Sequence, residues 1–143
     1  MDAGYPIAIY KPEDEHHDVA MWWAARIAAE RWQMVTTTLV LSEVGDAFAK
    51  RWDRIHPFMS VVFADSALEI VPVDAELLQR AVELRTRRED KEWGLTDCVS
   101  FVVMEQRGPR DALAVDRHFE QAGFRALLRT EAPDRATARR TRR

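Results

Sequence analysis

The sequence predicts a single α/β domain in three layers, with helices on both faces of a mainly parallel sheet. Two observations carry this reading. Short β-branched or apolar runs alternate with longer amphipathic stretches along most of the chain. Acids stand where such runs end, which is where open α/β sheets bind ligands. Length sets the scale: 143 residues suffice for one domain and fall short of two. A chain this long buries roughly 70% of its unfolded surface, so it folds without disulfides or a structural metal. Its single cysteine, Cys98, lies among apolar neighbours and reads as a core thiol. No C-x-x-C or Cys/His spacing suggests zinc.

The elements follow in order. Gly4 and Pro6 start a turn that leads into a short helix ending at Tyr10, before Pro12. From Glu15 to Trp32, Val19, Trp22, Trp23 and Ile27 recur at helical spacing and form one apolar stripe. Tryptophans so spaced belong to a core rather than to base stacking. His16 and His17 open that helix, but adjacent helical residues point about 100° apart and do not converge on one ion. Met34–Thr37 is a β-branched strand, and Thr37 or Thr38 caps a helix from Leu39 to Trp52. Its inner stripe holds Leu39, Val40, Val44, Ala47, Phe48 and Arg51, with Glu43 at the edge. A further helix is expected over Pro57–Ser66, then a strand over Leu68–Val73 with Pro72 at a sheet edge. Asp74 caps a helix to about Arg88 with Leu77, Leu78, Ala81, Val82 and Leu84 inside.

The stretch Lys91–Leu127 organises the rest. Asp97 opens the apolar run Cys98–Met104, a helix buried on most of its surface, with Thr96 as its expected N-cap. Asp116 ends Ala112–Val115, a run of the type that forms a buried parallel strand. A turn or short helix follows to Ala122, closed by Gly123, and Phe124–Leu127 adds a last strand.

Charge is uneven along the chain. From Arg129 to Arg143 six arginines face Glu131 and Asp134, so the net −3 hides an acidic body and a basic tail. That tail lacks any hydrophobic period and reads as disordered, with the charge to meet a nucleic-acid backbone. No apolar run approaches the ~20 residues that span a membrane, and the N-terminus lacks a signal-peptide pattern. A cytoplasmic protein is expected. Neither G-x-G-x-x-G nor G-x-x-x-x-G-K-[ST] occurs, which removes the Gly-rich phosphate loops.

Four carboxylates sit at element ends or apolar edges: Asp2, Glu43, Asp97 and Asp116. Brought together they repel, and such a cluster needs a cation or protons at neutral pH. All-oxygen sites suit Mg²⁺ or Mn²⁺, which activate water for phosphoryl transfer. His118 follows Asp116 by two residues and is of the residue type that serves as a general acid or a phosphate contact, although positioning the turn after Asp116 is the plainer role.

The same residues carry a family resemblance. W-G-L-T-D-C-V-S-F at Trp93–Phe101 and A-V-D-R-H-F-E-Q-A-G-F at Ala114–Phe124 resemble the motifs of PIN-domain proteins of the VapC type, toxins of toxin–antitoxin pairs. The stretches ending at Glu43 and starting at Asp2 match more weakly, and the likeness runs from Asp2 to about Leu127. It implies a PIN-like domain over 1–128, with a parallel sheet of four or five strands and a tail over 129–143. It further implies Asp2, Glu43, Asp97 and Asp116 as a quartet binding Mg²⁺ or Mn²⁺ for RNA endonuclease chemistry. Thr96 and Ser100 would help hold the metal's waters. A homodimer and a cognate antitoxin entering the acidic groove are implied as partners. The family carries an apolar strand before its first acid, whereas here Met1 alone precedes Asp2, so a shortened N-terminus is expected. The alternative function is a catalytically impaired PIN-fold module that binds RNA or a partner. A metal phosphatase for small molecules would use similar acids but has no need of an Arg-rich tail.

Overall fold

A computed structural model describes residues 1–130. Its elements run α1 (Gly4–Tyr10), α2 (His17–Glu30), β1 (Met34–Thr37), α3 (Thr38–Ala47), α4 (Trp52–Val62), β2 (Leu68–Val71), α5 (Ala75–Arg87), α6 (Leu95–Arg107), β3 (Asp111–Ala112), α7 (His118–Gln121) and β4 (Arg125–Ala126). Local chemistry accounts for many of the boundaries. Thr37 Oγ1 accepts the amide of Val40 at 3.2 Å and caps α3, and Asp74 Oδ1 accepts that of Leu77 at 2.8 Å and caps α5. Gly108 ends α6 in the left-handed region at φ 90°, where a side chain is strained.

The expected α/β layering holds. Ala112 and Ala114 pack with α5, α6 and α7, while Leu113 packs with Tyr5, Ala8, Ala20 and Ile27 of α1 and α2. Alternation along this run therefore places one helical layer on each face. At the other end Val40, Val44, Phe48 and Ile55 join α3 and α4 to Ala3.

The sheet is smaller than a continuous one of four or five strands. It has four strands and only parallel pairings, but in two ladders, β1 with β2 and β3 with β4. Between the ladders stand Met1 and Asp2. The Met1 amine donates to Val35 O at 2.6 Å, the Asp2 amide donates to Leu113 O at 3.0 Å, and Thr36 Oγ1 donates to Met1 O at 2.9 Å. These two residues thus bond to both ladders without completing a strand. The remainder of the gap is a cavity of about 210 Å³, walled by residues including Met34, Val35, Val103 and Leu113. Just beyond Asp2, Gly4 lies against Val115, where an added Cβ would stand 2.6 Å from a methyl group. Glycine lets the start of α1 approach the run that leads to Asp116.

Several boundaries differ from expectation. The helix expected to run to Trp52 stops at Ala47, because Phe48 leaves the helix and buries itself beside Val44 and Ile55. The next helix begins at Trp52 and encloses Pro57 rather than starting there. Ala47 and Arg51 consequently face solvent. On α5 the inner stripe is Leu77, Ala81 and Leu84, while Leu78 and Val82 are exposed, a third of a turn away. Thr96 is not the cap of α6. The helix starts at Leu95 with Gly94 as its cap, and the Asp97 carboxylate accepts the Gly94 amide at 3.3 Å. Arg129 pairs with Glu120 at 3.2 Å. Residues 131–143 of the expected basic tail lie outside the described residues.

Two stability predictions follow. Phe101 is 2% exposed and touches three other rings, so Phe101→Ala is expected to cost about 3–5 kcal/mol in denaturant unfolding. The Asp2 carboxyl is pushed up to about 6, first by burial and then by the charge of Asp97, with Glu43 adding to it. A carboxyl raised above its unfolded value loses stability as pH climbs from about 4 through 6, because the native state holds the proton more tightly. The Met1 amine, lowered to about 6 by burial, acts in the opposite sense and costs stability as pH falls from 8 through 6. In metal-free buffer Asp2→Asn is therefore expected to stabilise the fold, with no gain near pH 4 and up to roughly 3 kcal/mol at pH 7. Equal stabilities of the two proteins across that range would show that Asp2 bears no such load.

Candidate active site

Asp97 is the third residue of α6, where the free amides and dipole of a helix start favour negative charge. The helix is held by rings. Phe101 meets Trp93 and Phe119 edge-on, each at 5.0 Å between centroids, and stacks on Phe124 at 5.8 Å. Trp93 Nε1 also donates to Gln121 Oε1 at 3.0 Å. These contacts clamp α6 to α7 and bring residues 97 and 118 together.

Asp116 follows the buried run Ala112–Ala114. Its Oδ1 accepts the backbone amide of His118 at 2.9 Å, a local turn that orients the carboxylate. Its Oδ2 lies 3.2 Å from His118 Nδ1, and Asp97 Oδ2 lies 2.9 Å from the same nitrogen. Two carboxylate oxygens thus converge on one ring nitrogen. Asp97 and His118 are about four-fifths buried, and Asp116 is more open. Asp97, Asp116 and His118 each offer one ligand atom within 4.8 Å of the others.

Asp2 is 9% exposed and close enough to Asp97 and Glu43 for both charges to raise its pKa. Glu43 itself projects from the exposed rim of α3. The structure therefore brings Asp97, Asp116 and His118 into direct contact, with Asp2 buried beside Asp97 and Glu43 at the edge. Thr96 is half-buried at the start of α6, and Ser100 lines the cavity between the ladders. Among the described residues, no hydrogen bond joins either hydroxyl to the acids. The Cys98 thiol is buried and pushed up by that burial, as a core residue should be. His17 Nδ1 donates to Ala8 O at 2.8 Å, and His16 lies against Glu15. What sequence reasoning missed is the contact of His118 with Asp97. The D-x-H spacing relates His118 to Asp116 alone.

The donor set fits a hard divalent ion. Carboxylates crowd a site in which one of them, Asp2, is held above its ordinary range by burial and by like charge. A cation removes that repulsion without a proton. Carboxylates with water suit Mg²⁺ and Mn²⁺.

Comparison with known proteins agrees with the motifs. The model of the PIN domain matches residues 1–125. The chain is similar to the 23S rRNA-specific endonuclease VapC20 of Mycobacterium tuberculosis, in the CDC 1551 / Oshkosh and the H37Rv strains alike. Identity is 26% over 126 residues, covering 87% of this chain and 93% of the relative. The crystal structure of M. tuberculosis VapC20, described as a sarcin-ricin loop cleaving toxin, superposes with a TM-score of 0.73. That match has 24% identity and covers 87% of this chain and 95% of the other. With a family model spanning nearly all of the described residues, and a like fold beneath the acids, the chain belongs to the PIN domain family.

Proposed function

We propose that this chain is a metal-dependent RNA endonuclease, the toxin of a toxin–antitoxin pair. The observation that carries the reading is the convergence of Asp97 and Asp116 at one point, beside the buried Asp2. Asp97 and Asp116 would hold Mg²⁺ or Mn²⁺ directly, Asp2 would complete the set from the sheet side, and Glu43 would bind the ion or orient a water from the rim. Such an ion supplies an activated water and offsets the charge that develops on the phosphate oxygens. The first turn of α6 adds fixed positive potential where the substrate's phosphate comes to rest. Thr96, half-buried at that turn, is placed to steady a phosphate or its water. Ser100 is 8% exposed and contributes from the cavity wall behind it.

Ribosomal RNA is the first substrate to try, since the relatives are described as cutting 23S rRNA. A cognate antitoxin that covers the acidic groove, a homodimer and a cytoplasmic location belong to the same reading. No helix among the described residues is long and apolar enough to cross a membrane.

An end-labelled RNA spanning the sarcin-ricin loop, with an unrelated RNA beside it, tests the proposal. Cleavage is expected in Mg²⁺ or Mn²⁺, abolished by EDTA, and reduced about 100-fold or more in Asp97→Asn and Asp116→Asn. Wild type and Asp97→Asn cutting at equal rates would reject the nuclease. Equal cutting of both RNAs would reject only the target.

A further inference from the structure

We propose that His118 is a ligand of the metal through Nδ1, which makes the centre a mixed oxygen and nitrogen site rather than an all-carboxylate one. The inference rests on the metal-nuclease reading above and deepens it.

The argument is geometric. Mg²⁺ and ions of similar coordination gather ligands in octahedra at roughly 2.1 Å, which places adjacent ligand atoms about 3.0 Å apart. Nδ1 of His118 already stands 2.9 Å from Asp97 Oδ2 and 3.2 Å from Asp116 Oδ2. Both spacings match an edge of such a shell. An ion held by those two oxygens would have this nitrogen in reach without moving the ring. The same ring orientation serves a hydrogen bond to Asp97 without an ion and a ligand bond with one.

The ring is also poorly able to swing away. Its backbone amide is tied to Asp116 Oδ1 at 2.9 Å, and the next residue, Phe119, is 1% exposed and wedged against Phe101. Asp97 is likewise anchored, since its Oδ2 accepts the Gly94 amide that starts α6. Both partners of the contact are thus set by the backbone. A fixed ligand triangle of this kind lowers the cost of organising a site.

A nitrogen ligand changes which ion is preferred. Carboxylate and water serve Mg²⁺ and Mn²⁺ alike, whereas imidazole favours transition ions. His118 therefore biases the centre toward Mn²⁺.

Electron spin echo spectroscopy of Mn²⁺ bound to the whole, tag-free protein reads this directly. Wild type is expected to show ¹⁴N modulation from one imidazole, absent in His118→Ala and His118→Asp. By titration, His118→Ala should bind Mn²⁺ about 10-fold more weakly, with Mg²⁺ affinity altered less than about threefold. His118→Asp should shift preference back toward Mg²⁺. Mn²⁺ bound to wild type without ¹⁴N modulation, or modulation persisting in His118→Ala, overturns the ligand role and leaves the metal site standing. Mn²⁺ bound no more tightly by wild type than by Asp97→Asn overturns the metal reading, and the ligand role with it. A wild-type spectrum without ¹⁴N modulation overturns the ligand role even if a variant fails to fold.

Discussion

The contact of Phe101 with Trp93 and Phe119 is the constraint on which the site depends. Each ring pair meets edge-on at 5.0 Å, and all three residues are almost wholly buried. Aromatic pairs in this geometry contribute about 0.5–1.5 kcal/mol beyond the area they bury. Their larger effect here is positional. Phe101 lies one turn beyond Asp97 on α6, and Phe119 adjoins His118 on α7. Fixing the rings fixes the polar pair above them. The Trp93 to Gln121 hydrogen bond repeats the tie between the start of α6 and the end of α7. An apolar clamp thereby holds a polar site, and the chemistry gains a rigid support.

The acids strain what the rings secure. Asp2 sits almost wholly buried between two β-ladders, with its backbone bonded toward one and its neighbour Met1 bonded toward the other. Its carboxylate faces Asp97 and Glu43, all of one sign. A protein shaped only for stability would not place three like charges there. Functional sites commonly break local rules in this way, with the cost borne by the surrounding fold. On the proposed function the same crowding is an asset, since a cation would offset it. His118 lies against Asp97 and Asp116 together.

Much of the fold was legible in the sequence where the signal was local. The β-branched run of β1, the Thr37 and Asp74 caps and the stop at Gly123 all depend on residues within a few positions of one another. The nomination of Asp97 and Asp116 was local too, as it rested on an acid beside an apolar run. Other features were not legible, for reasons that can be named. Phe48 continued a helical stripe on paper, but packing with Ile55 across the turn ended the helix. Leu78 and Val82 carried the right hydrophobicity, and only the position of α6 against α5 left them outside. Thr96 is a good capping residue two positions too late, since Asp97 draws the Gly94 amide and moves the start of the helix.

By itself, then, the sequence determined the alternation of elements, the α/β class, the family motifs and the acids worth testing. The elements and the acids follow from periodicity, capping and composition, and the motifs from resemblance, all of which act over short spans of chain. Only the tertiary structure decided that the parallel strands form two ladders joined through Met1 and Asp2. It alone decided that Asp2 is buried and that His118 touches Asp97 across a separation of 21 residues. Those outcomes depend on which side chains pack between distant elements, and no local pattern encodes the distance at which two helices come to rest.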